Sequence, residues 1–345
     1  MKTLAVSLLM LLSSVTLAQK RTSGFAFNDR PANKQIDLLY NGRLLTAYCF
    51  YDSVMKPILF PVNTVSGITI TRGWPIDPRS GERADHPHHT GLWLNYEYVN
   101  GLDFWNNSTA IPRERRSHYG TIFHQSVVRK AAEGDKATLE VTAVWKTPDQ
   151  QMLLNESTTY SFYVINNNFV IDRTTTLSAV ADEVRFNDVK DGMFAIRVAR
   201  ELEIPSDEPE VFVDSHGIAT TVKAVSKAGA SGNYLSSEGT AGNDVWSTRG
   251  KWVTMFGTKD KIPVSVTIFD HPTNLGYPTY WHARGYGLFA ANPLGQKVFS
   301  NGKEVLNFML KKNESVTFKY RVVIHEGEQL TNDTINRMAG EFQKQ

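Results

Sequence analysis

Apolar and polar residues alternate at period two over much of this chain, and this pattern constrains its fold more than any other feature. The clearest run carries Val316, Phe318, Tyr320, Val322 and Ile324 on one face, with mostly polar residues between them. Such alternation is typical of a strand with one buried and one solvated face. Further alternating runs lie at residues 139–143, 160–164, 169–171 and 264–268.

Turn-forming dipeptides and short polar stretches separate these runs. Asn41–Gly42, Asn301–Gly302 and residues 133–135 and 166–168 each lie between two strand-like segments, as hairpin loops do. The sequence therefore predicts an all-β fold of meandering antiparallel strands. We expect one large antiparallel β-sandwich domain over residues 19–345.

The C-terminal tail is the one segment with helical spacing. Ile335, Met338, Ala339 and Phe342 follow the i, i+3, i+4, i+7 pattern, and Thr331 is a candidate for the N-terminal cap. This pattern predicts that the sandwich ends in a short C-terminal helix.

The N-terminus has the organisation of a signal peptide. Lys2 supplies a positive charge, Leu4 to Leu12 form an apolar run, and Ala18 provides the small residue before a cleavage site. We therefore predict a cleavable signal peptide over residues 1–18 and a bacterial protein that is periplasmic or secreted. Cys49 is the only cysteine, so no intramolecular disulfide forms, and no later apolar run is long enough to span a membrane.

Charge and known motifs exclude several classes of function. Lys and Arg total 37 against 35 for Asp and Glu, a formal net charge of +2, and no stretch concentrates the basic residues. A nucleic-acid partner is therefore not expected. The sequence has no glycine-rich nucleotide or phosphate loop and no Gly-x-Ser-x-Gly motif. It does not predict the oligomeric state.

Titratable and aromatic side chains concentrate in a loop-like segment that precedes a predicted strand. Between Arg79 and His89 lie three imidazoles, two arginines and two carboxylates, in a stretch whose prolines and glycines exclude regular structure. The candidate site residues of this segment are Arg72, Trp74, Arg83, Asp85, His86, His88, His89 and Asn95.

Two later segments add further candidates. The stretch from Asp270 to Arg284 supplies Trp281, His282 and Arg284. A turn closed by Gly192 supplies Lys190 and Asp191, followed by Arg197; the alternative for these three is an exposed turn with a solvated charge pair and an outward-facing arginine.

Five motifs in this order resemble a known bacterial family. They are Thr71–Arg72–Gly73, Asp85 to Trp93, Asn100 to Trp105, Lys190–Asp191–Gly192 and Trp281 to Pro293. Together they resemble the family labelled "PmoA-like", although a methane monooxygenase subunit spans the membrane and this chain has no such segment after its signal. The resemblance implies exported proteins of glycan-degrading bacteria and a large β-sandwich like that of aldose mutarotases. Asp191 stands where this family more often has glutamate.

The residue types favour an enzyme that acts on a glycoside or an oxidised sugar by epimerisation, elimination or hydrolysis. His88, His89 and His282 are the expected proton-transfer groups, Asp85 could orient one of them, and Arg284 could stabilise a developing negative charge. Sugars need flat apolar surfaces and polar side chains. The expected substrate-binding residues are Arg72, Trp74, Arg83, Asn95, Lys190, Asp191, Arg197 and Trp281.

Two alternatives belong to other classes of function. His86, His88 and His282 could bind a divalent metal, although Pro87 intervenes and the spacing matches no known metal signature. No other cofactor is expected. The chain could also bind carbohydrate without catalysis, but binding modules usually lack such clusters of titratable groups. If the two histidine segments share one concave face with Lys190 and Arg197, an enzyme is favoured.

Overall fold

The structure is a computed structural model that describes residues 23–207, 210–216, 218–222 and 229–345. The predicted signal peptide, residues 1–18, lies outside these described residues. Within the described ranges, no helix combines the length and the apolar character needed to cross a membrane.

The chain forms strands almost throughout, as the alternation predicts. The first half contains β1 (Phe25–Arg30), β2 (Gln35–Tyr40), β3 (Arg43–Cys49), β4 (Ile58–Val62), β5 (Leu92–Tyr96), β6 (Tyr98–Val99), β7 (Leu102–Asp103), β8 (Thr121–Glu133), β9 (Lys136–Lys146), β10 (Met152–Ile165) and β11 (Asn168–Ala179). Short 3-10 helices lie at Pro31–Asn33 and Arg113–His118.

The second half continues the sheets and adds two helices. It contains β12 (Glu183–Arg185), β13 (Gly192–Arg197), β14 (Glu210–Val213), β15 (Ala219–Val222), β16 (Asn233–Ser236), β17 (Trp252–Lys259), β18 (Ile262–Asp270), β19 (Tyr280–Arg284), β20 (Leu288–Asn292), α1 (Gln296–Phe299), β21 (Met309–Lys311), β22 (Ser315–Glu326) and α2 (Asn332–Phe342). Two further 3-10 helices lie at Arg200–Leu202 and Gly242–Val245.

Two eight-stranded antiparallel sheets make up the sandwich. The first sheet has the order β1-β2-β3-β4-β5-β13-β20-β19, and the second has the order β16-β17-β18-β22-β11-β10-β9-β8. Both sheets combine strands from early and late in the chain. The main core lies between them and includes Leu92 and Phe194 of the first sheet with Phe162 and Val322 of the second. The predicted large antiparallel β-sandwich with a short C-terminal helix is confirmed.

Three of the four predicted hairpin turns join consecutive strands, and the fourth has another role. Asn41–Gly42 joins β2 to β3, residues 134–135 join β8 to β9, and residues 166–167 join β10 to β11. The prediction of a hairpin at Asn301–Gly302 is wrong, because this pair ends α1 instead. Both residues have positive φ, and Gly302 N donates to Lys297 O at 2.7 Å, as in a helix C-terminal cap.

The C-terminal helix covers part of the outer face of the second sheet. The side chain of Thr331 accepts from Thr334 N and caps α2, whose Phe342 packs on that sheet. This corrects the expectation that β22 has one solvated face along its whole length. Arg321 of β22 is buried beneath Phe342 and forms a bidentate ion pair with Asp172 at 2.6 and 2.7 Å.

The outer face of the first sheet is also covered, and it positions the site described below. Its surface contains small residues, among them Ala47, Ala195 and Ala290, beside Trp93 and Trp105. Because alanines leave space above a sheet, a layer of side chains from the segment between β4 and β5 lies directly on this face.

Candidate functional site

The first histidine-containing segment and His282 of the second meet on the outer face of the first sheet. In the cross-strand register, Trp93 of β5 pairs with Ala195, Ala195 pairs with Ala290, and Ala290 pairs with His282 of β19. Residues in one such row point to the same side of a sheet. His282 therefore belongs to the face that the segment from Arg72 to His89 covers.

Two predicted arginines lie on the next outward-facing row. Arg197 of β13 and Arg284 of β19 both pair with Leu288 of β20. Two strand spacings, about 10 Å, therefore separate their backbones. Arg197 is completely buried, whereas Arg284 is exposed at the edge of the sheet.

The Arg72 side chain stabilises the segment that covers the first sheet by hydrogen bonds to its backbone. Its two terminal nitrogens donate to the carbonyl oxygens of Arg83, Asp85, His86 and His89 at 2.9 to 3.2 Å. The side chain is fully buried, and its terminal nitrogens are occupied by the backbone and by the Asp85 carboxylate. The structure therefore replaces the predicted substrate-binding role of Arg72 with a structural one.

The Asp85 carboxylate is the centre of a charged cluster. Arg197 donates to its Oδ1 at 2.7 Å, Arg72 donates to the same oxygen, and His86 Nδ1 lies 3.1 Å from its Oδ2. Burial opposes ionisation of Asp85, but the positive charges of Arg197 and Arg72 and the hydrogen bond from His86 hold its pKa well below the usual value. Asp85 is therefore a carboxylate at neutral pH.

His86 is the solvent-accessible imidazole of the first segment. Its side chain is 41% exposed, and a carboxylate only accepts, so Nδ1 carries the proton that Asp85 accepts. One face of the ring stacks on Tyr286 at 5.1 Å, and the ring is also parallel to that of His89 at 4.8 Å. The backbone has φ of 43°, a left-handed conformation that is uncommon for histidine and often found at functional sites.

His88 and His89, by contrast, are buried against the sheet. Burial lowers both pKa values well below the ordinary value, and neighbouring positive charges lower them further. His89 Nδ1 accepts from Arg197 at 3.2 Å, since a guanidinium only donates. Both rings are neutral at physiological pH, so their positions favour packing and orientation over the proton transfer that the sequence predicted.

Lys56 is a buried charged residue that sequence reasoning missed. It lies 2% exposed over the Trp93 ring at 5.2 Å and donates to the carbonyl oxygen of His88 at 2.7 Å. Burial lowers its pKa to about 7, although the charge of Asp103 opposes this shift. Its sequence neighbours Met55 and Pro57 carry no signal of a site.

An open pocket lies beside Tyr286, the residue on which the His86 ring stacks. Its volume is about 450 Å³, and Tyr286, which stacks on His86, forms part of its wall. The lining residues are Arg83, Ile204, Pro205, Ser206, Asn243, Trp246, Ala283, Arg284, Gly285 and Tyr286. Of the predicted binding and catalytic residues, Arg83 and Arg284 reach this pocket. Trp246 and Asn243 come from a 3-10 helix and its flank, which no motif indicated.

The turn between β19 and β20 places Tyr286 in this wall. Gly287 N donates to Arg284 O at 2.9 Å and closes the turn. Gly287 has φ of 85°, and a Cβ atom there would lie 3.0 Å from the Val198 side chain. Glycine is therefore required after Tyr286 for this turn to pack on the sheet.

A second titratable cluster lies where β5 ends and β13 begins. Glu97 N donates to Asp191 O at 2.9 Å, and Lys190 Nζ lies 2.5 Å from Asp191 Oδ2. Burial and the negative charges of Asp191 and Asp103 raise the pKa of Glu97. Glu97 was missed because it follows an apolar strand without a recognisable motif.

His282 faces this second cluster. Its Nδ1 lies 3.5 Å from Asp191 Oδ1 and has no hydrogen-bond partner in the described part of the chain. Burial lowers the pKa of His282 to about 4, so the ring is neutral near pH 7. The structure thus brings His282, Asp191 and Lys190 together, as a group separate from the Asp85–His86 pair.

The remaining predicted binding residues have mainly structural surroundings. Trp281 lies in the core between the sheets and donates to Gly250 O at 3.0 Å, which corrects its assignment to the site face. Asn95 is buried, accepting from Trp93 and donating to Phe104 O at 2.7 Å. Trp74 is half-buried, and its indole nitrogen has no partner among the described residues.

The predicted metal ligands do not form a metal site. Among the described residues, no group of three or more His, Cys, Asp or Glu side chains is arranged to hold a metal ion. His86 directs Nδ1 to Asp85, whereas His282 faces Asp191. The set of His86, His88 and His282 therefore does not fit a divalent metal.

Several solved structures are similar to this chain at low sequence identity. The galactosidase domain of an α-galactosidase–sucrose kinase, AgaSK, is 12% identical with a TM-score of 0.40, and the match covers 88% of this chain and 42% of that one. Galactose 1-epimerase from Lactobacillus acidophilus NCFM is 12% identical with a TM-score of 0.38, covering 90% and 100%. Slr1438 from Synechocystis sp. PCC 6803 is 11% identical with a TM-score of 0.31, covering 89% and 97%.

None of the curated proteins matches the chain significantly. The resemblance to the PmoA-like family stays a prediction. A protein family does match residues 35–340, which is most of the chain, and this protein therefore belongs to the family of unknown function DUF6807.

Proposed function

We propose that this protein is an enzyme that acts on a carbohydrate by acid–base chemistry, with His86 as its proton-transfer group. The observation that carries this proposal is the contact between His86 and Tyr286. A histidine held by a half-buried carboxylate stacks on Tyr286, which forms part of the wall of the open pocket. This arrangement connects a proton-transfer group to a place where a small molecule fits.

Asp85 orients the imidazole. Because Nδ1 donates to the carboxylate, Nε2 is the nitrogen that takes up or delivers a proton. Arg72 and Arg197 hold Asp85 in its ionised form, and their side chains are fully buried. The carboxylate therefore keeps its position while the charge of the imidazole changes.

The pocket has the side chains that a sugar requires. Trp246 and Tyr286 present aromatic rings for the apolar faces of a pyranose, and Asn243 presents an amide for its hydroxyls. A volume of about 450 Å³ lies within the usual range for small-molecule sites. These features support a sugar as the ligand.

Glu97 gives the same face a second proton donor. Its raised pKa keeps part of the carboxyl population protonated near neutral pH. Epimerisation, elimination and hydrolysis each need one group that accepts a proton and one that donates it. The proposal therefore covers a glycoside or an oxidised sugar as substrate.

Turnover measured by proton NMR tests this proposal. The protein is incubated with a panel of glycosides and oxidised glycosides, beside His86→Ala and His118→Ala. His118 is an exposed histidine of a 3-10 helix and serves as the matched control. We expect wild-type turnover of at least one sugar, a loss of about 10²-fold or more in His86→Ala, and no change in His118→Ala. Equal rates in wild type and His86→Ala would contradict the proposal.

We also propose that the protein is exported. The charged and apolar pattern of residues 1–18 supports this step, and the cleavage site would follow Ala18. Expression of the full chain in a Gram-negative bacterium, followed by N-terminal sequencing of the periplasmic fraction, tests it. The expected product begins at Gln19, and an intact chain retained in the cytoplasm would oppose export.

A further inference from the structure

Arg284 differs from the other arginines around the site. Its guanidinium lies 5.7 Å from the centre of the Trp246 ring and 5.8 Å from that of Tyr286, at an exposed position in the pocket wall. Within the described ranges, its side chain forms no ion pair or hydrogen bond. Arg197, by contrast, pairs with Asp85 at 2.7 Å.

The second arginine of the pocket is already held by a carboxylate. Arg83 Nε donates to Glu203 at 2.6 Å, and Arg200 donates to the same oxygen at the same distance. Among the residues that the structure describes, the lining of the pocket includes two arginines and no carboxylate. Positive charge is therefore available to a ligand at Arg284.

The two aromatic rings hold the Arg284 guanidinium in place without occupying its donors. A guanidinium that contacts aromatic rings keeps its N–H groups for hydrogen bonds in its own plane. These N–H groups match the two oxygens of a planar carboxylate in a bidentate pair. Because these two aromatic contacts restrict the side chain, binding of a carboxylate there costs less conformational entropy than at an arginine without such contacts.

We infer that the pocket binds a sugar acid, and that Arg284 binds its carboxylate. This inference rests on the proposed function, because it names the class of substrate for the same site. The aromatic rings of Trp246 and Tyr286 then contact the apolar face of the sugar ring, and the His86 ring stacks on Tyr286 at 5.1 Å. Arg284 acts as a specificity-determining residue that separates acidic sugars from neutral ones.

Isothermal titration calorimetry tests this inference with defined probes. The probes are D-glucuronate, D-galacturonate and D-gluconate, their neutral counterparts D-glucose and D-galactose, and inorganic sulfate. Each is titrated into wild type, Arg284→Gln, Arg284→Lys and Arg249→Gln. Arg249 is the matched control, because it also stacks on an aromatic ring, Tyr280, but lies outside the pocket and pairs with Glu304.

We expect at least one sugar acid to bind wild type about 10-fold to 100-fold more tightly than its neutral counterpart, the range for hydrogen bonds to a charged group. Arg284→Gln removes this preference, Arg284→Lys retains part of it, and Arg249→Gln keeps it unchanged. Arg284 is exposed, so the Gln variant is expected to fold, and circular dichroism verifies this.

The remaining outcomes separate the two proposals. Equal affinity for acidic and neutral sugars, or an unchanged preference in Arg284→Gln, would overturn the inference while leaving sugar turnover at His86 intact. Tight sulfate binding without a preference for sugar acids would also overturn it, since the pocket would then select any anion. If no probe binds and no sugar is consumed, both the inference and the proposed function fail.

Discussion

Replacing Asp85 with asparagine removes the charge on which the site is built. Asp85→Asn keeps the shape of the side chain but leaves Arg72 and Arg197, both fully buried, without their shared counter-charge. Breaking a buried ion pair by removing one partner costs about 3–5 kcal/mol. At about 2.1 cal/mol/K of unfolding entropy per residue, a chain of 345 residues then loses about 4–7 °C in Tm.

Differential scanning calorimetry at neutral pH measures this loss, with Asp182→Asn as the control. Asp182 is a 93% exposed carboxylate paired with Lys312 at 3.1 Å, and its replacement is expected to leave Tm within about 1 °C. A Tm change in Asp85→Asn no larger than that of the control would refute the assignment of Asp85 as the counter-charge of two buried arginines.

The pH dependence of the Asp85→Asn effect has a definite sign. The folded pKa of Asp85 lies below its unfolded value of 3.8, so its contribution to stability is complete above that value. The contribution is lost as the pH falls below 3.8 toward the folded pKa. The difference in unfolding free energy between wild type and Asp85→Asn should therefore shrink on acidification, and a difference that grows would contradict this account.

Two further predictions concern residues whose roles the structure separates. Trp281→Ala should lower the free energy of unfolding, measured by urea titration, by about 3–5 kcal/mol because it leaves a cavity between the sheets. Trp246→Ala should instead weaken sugar binding, measured by calorimetry, about 3-fold to 10-fold. Weaker sugar binding in Trp281→Ala, without a loss of stability, would instead assign Trp281 to the binding site. Because the pKa of Glu97 is raised above its ordinary 4.5, the folded protein holds this proton to higher pH than the unfolded chain does. Wild type should therefore lose stability relative to Glu97→Gln as the pH rises above 4.5, and parallel pH curves would show that Glu97 titrates normally.

Local sequence pattern was sufficient for most of the fold. The alternating runs became β9, β10, β11, β18 and β22, and the helical spacing near the C-terminus became α2. The prediction of a hairpin at Asn301–Gly302 was wrong because two successive residues with positive φ fit a helix cap as well as a turn. The prediction that one face of β22 is solvated was wrong for Arg321, because the following helix α2 covers this residue. The alternation of apolar and polar residues does not report such tertiary contacts.

The sequence patterns indicated where the candidate site lies, but not which of its residues face the pocket. The density of polar residues near His86 and His282 indicated two segments, and the structure brings the first segment and His282 of the second to one face of the first sheet. Adjacent strand residues point to opposite faces, so Trp281 and His282 could not both face a ligand. Which residue of each segment is exposed depends on packing, and this is why His86 rather than His88 contacts the pocket wall.

A crystal structure of His86→Ala bound to a sugar that wild type consumes locates the substrate relative to residue 86. We expect the sugar to occupy the pocket that Trp246 and Tyr286 line, with its reacting atom within reach of the position that the His86 imidazole fills in wild type. A sugar bound elsewhere, for example in the separate pocket beside Phe50 and His124, would contradict the assignment of His86 as the proton-transfer group.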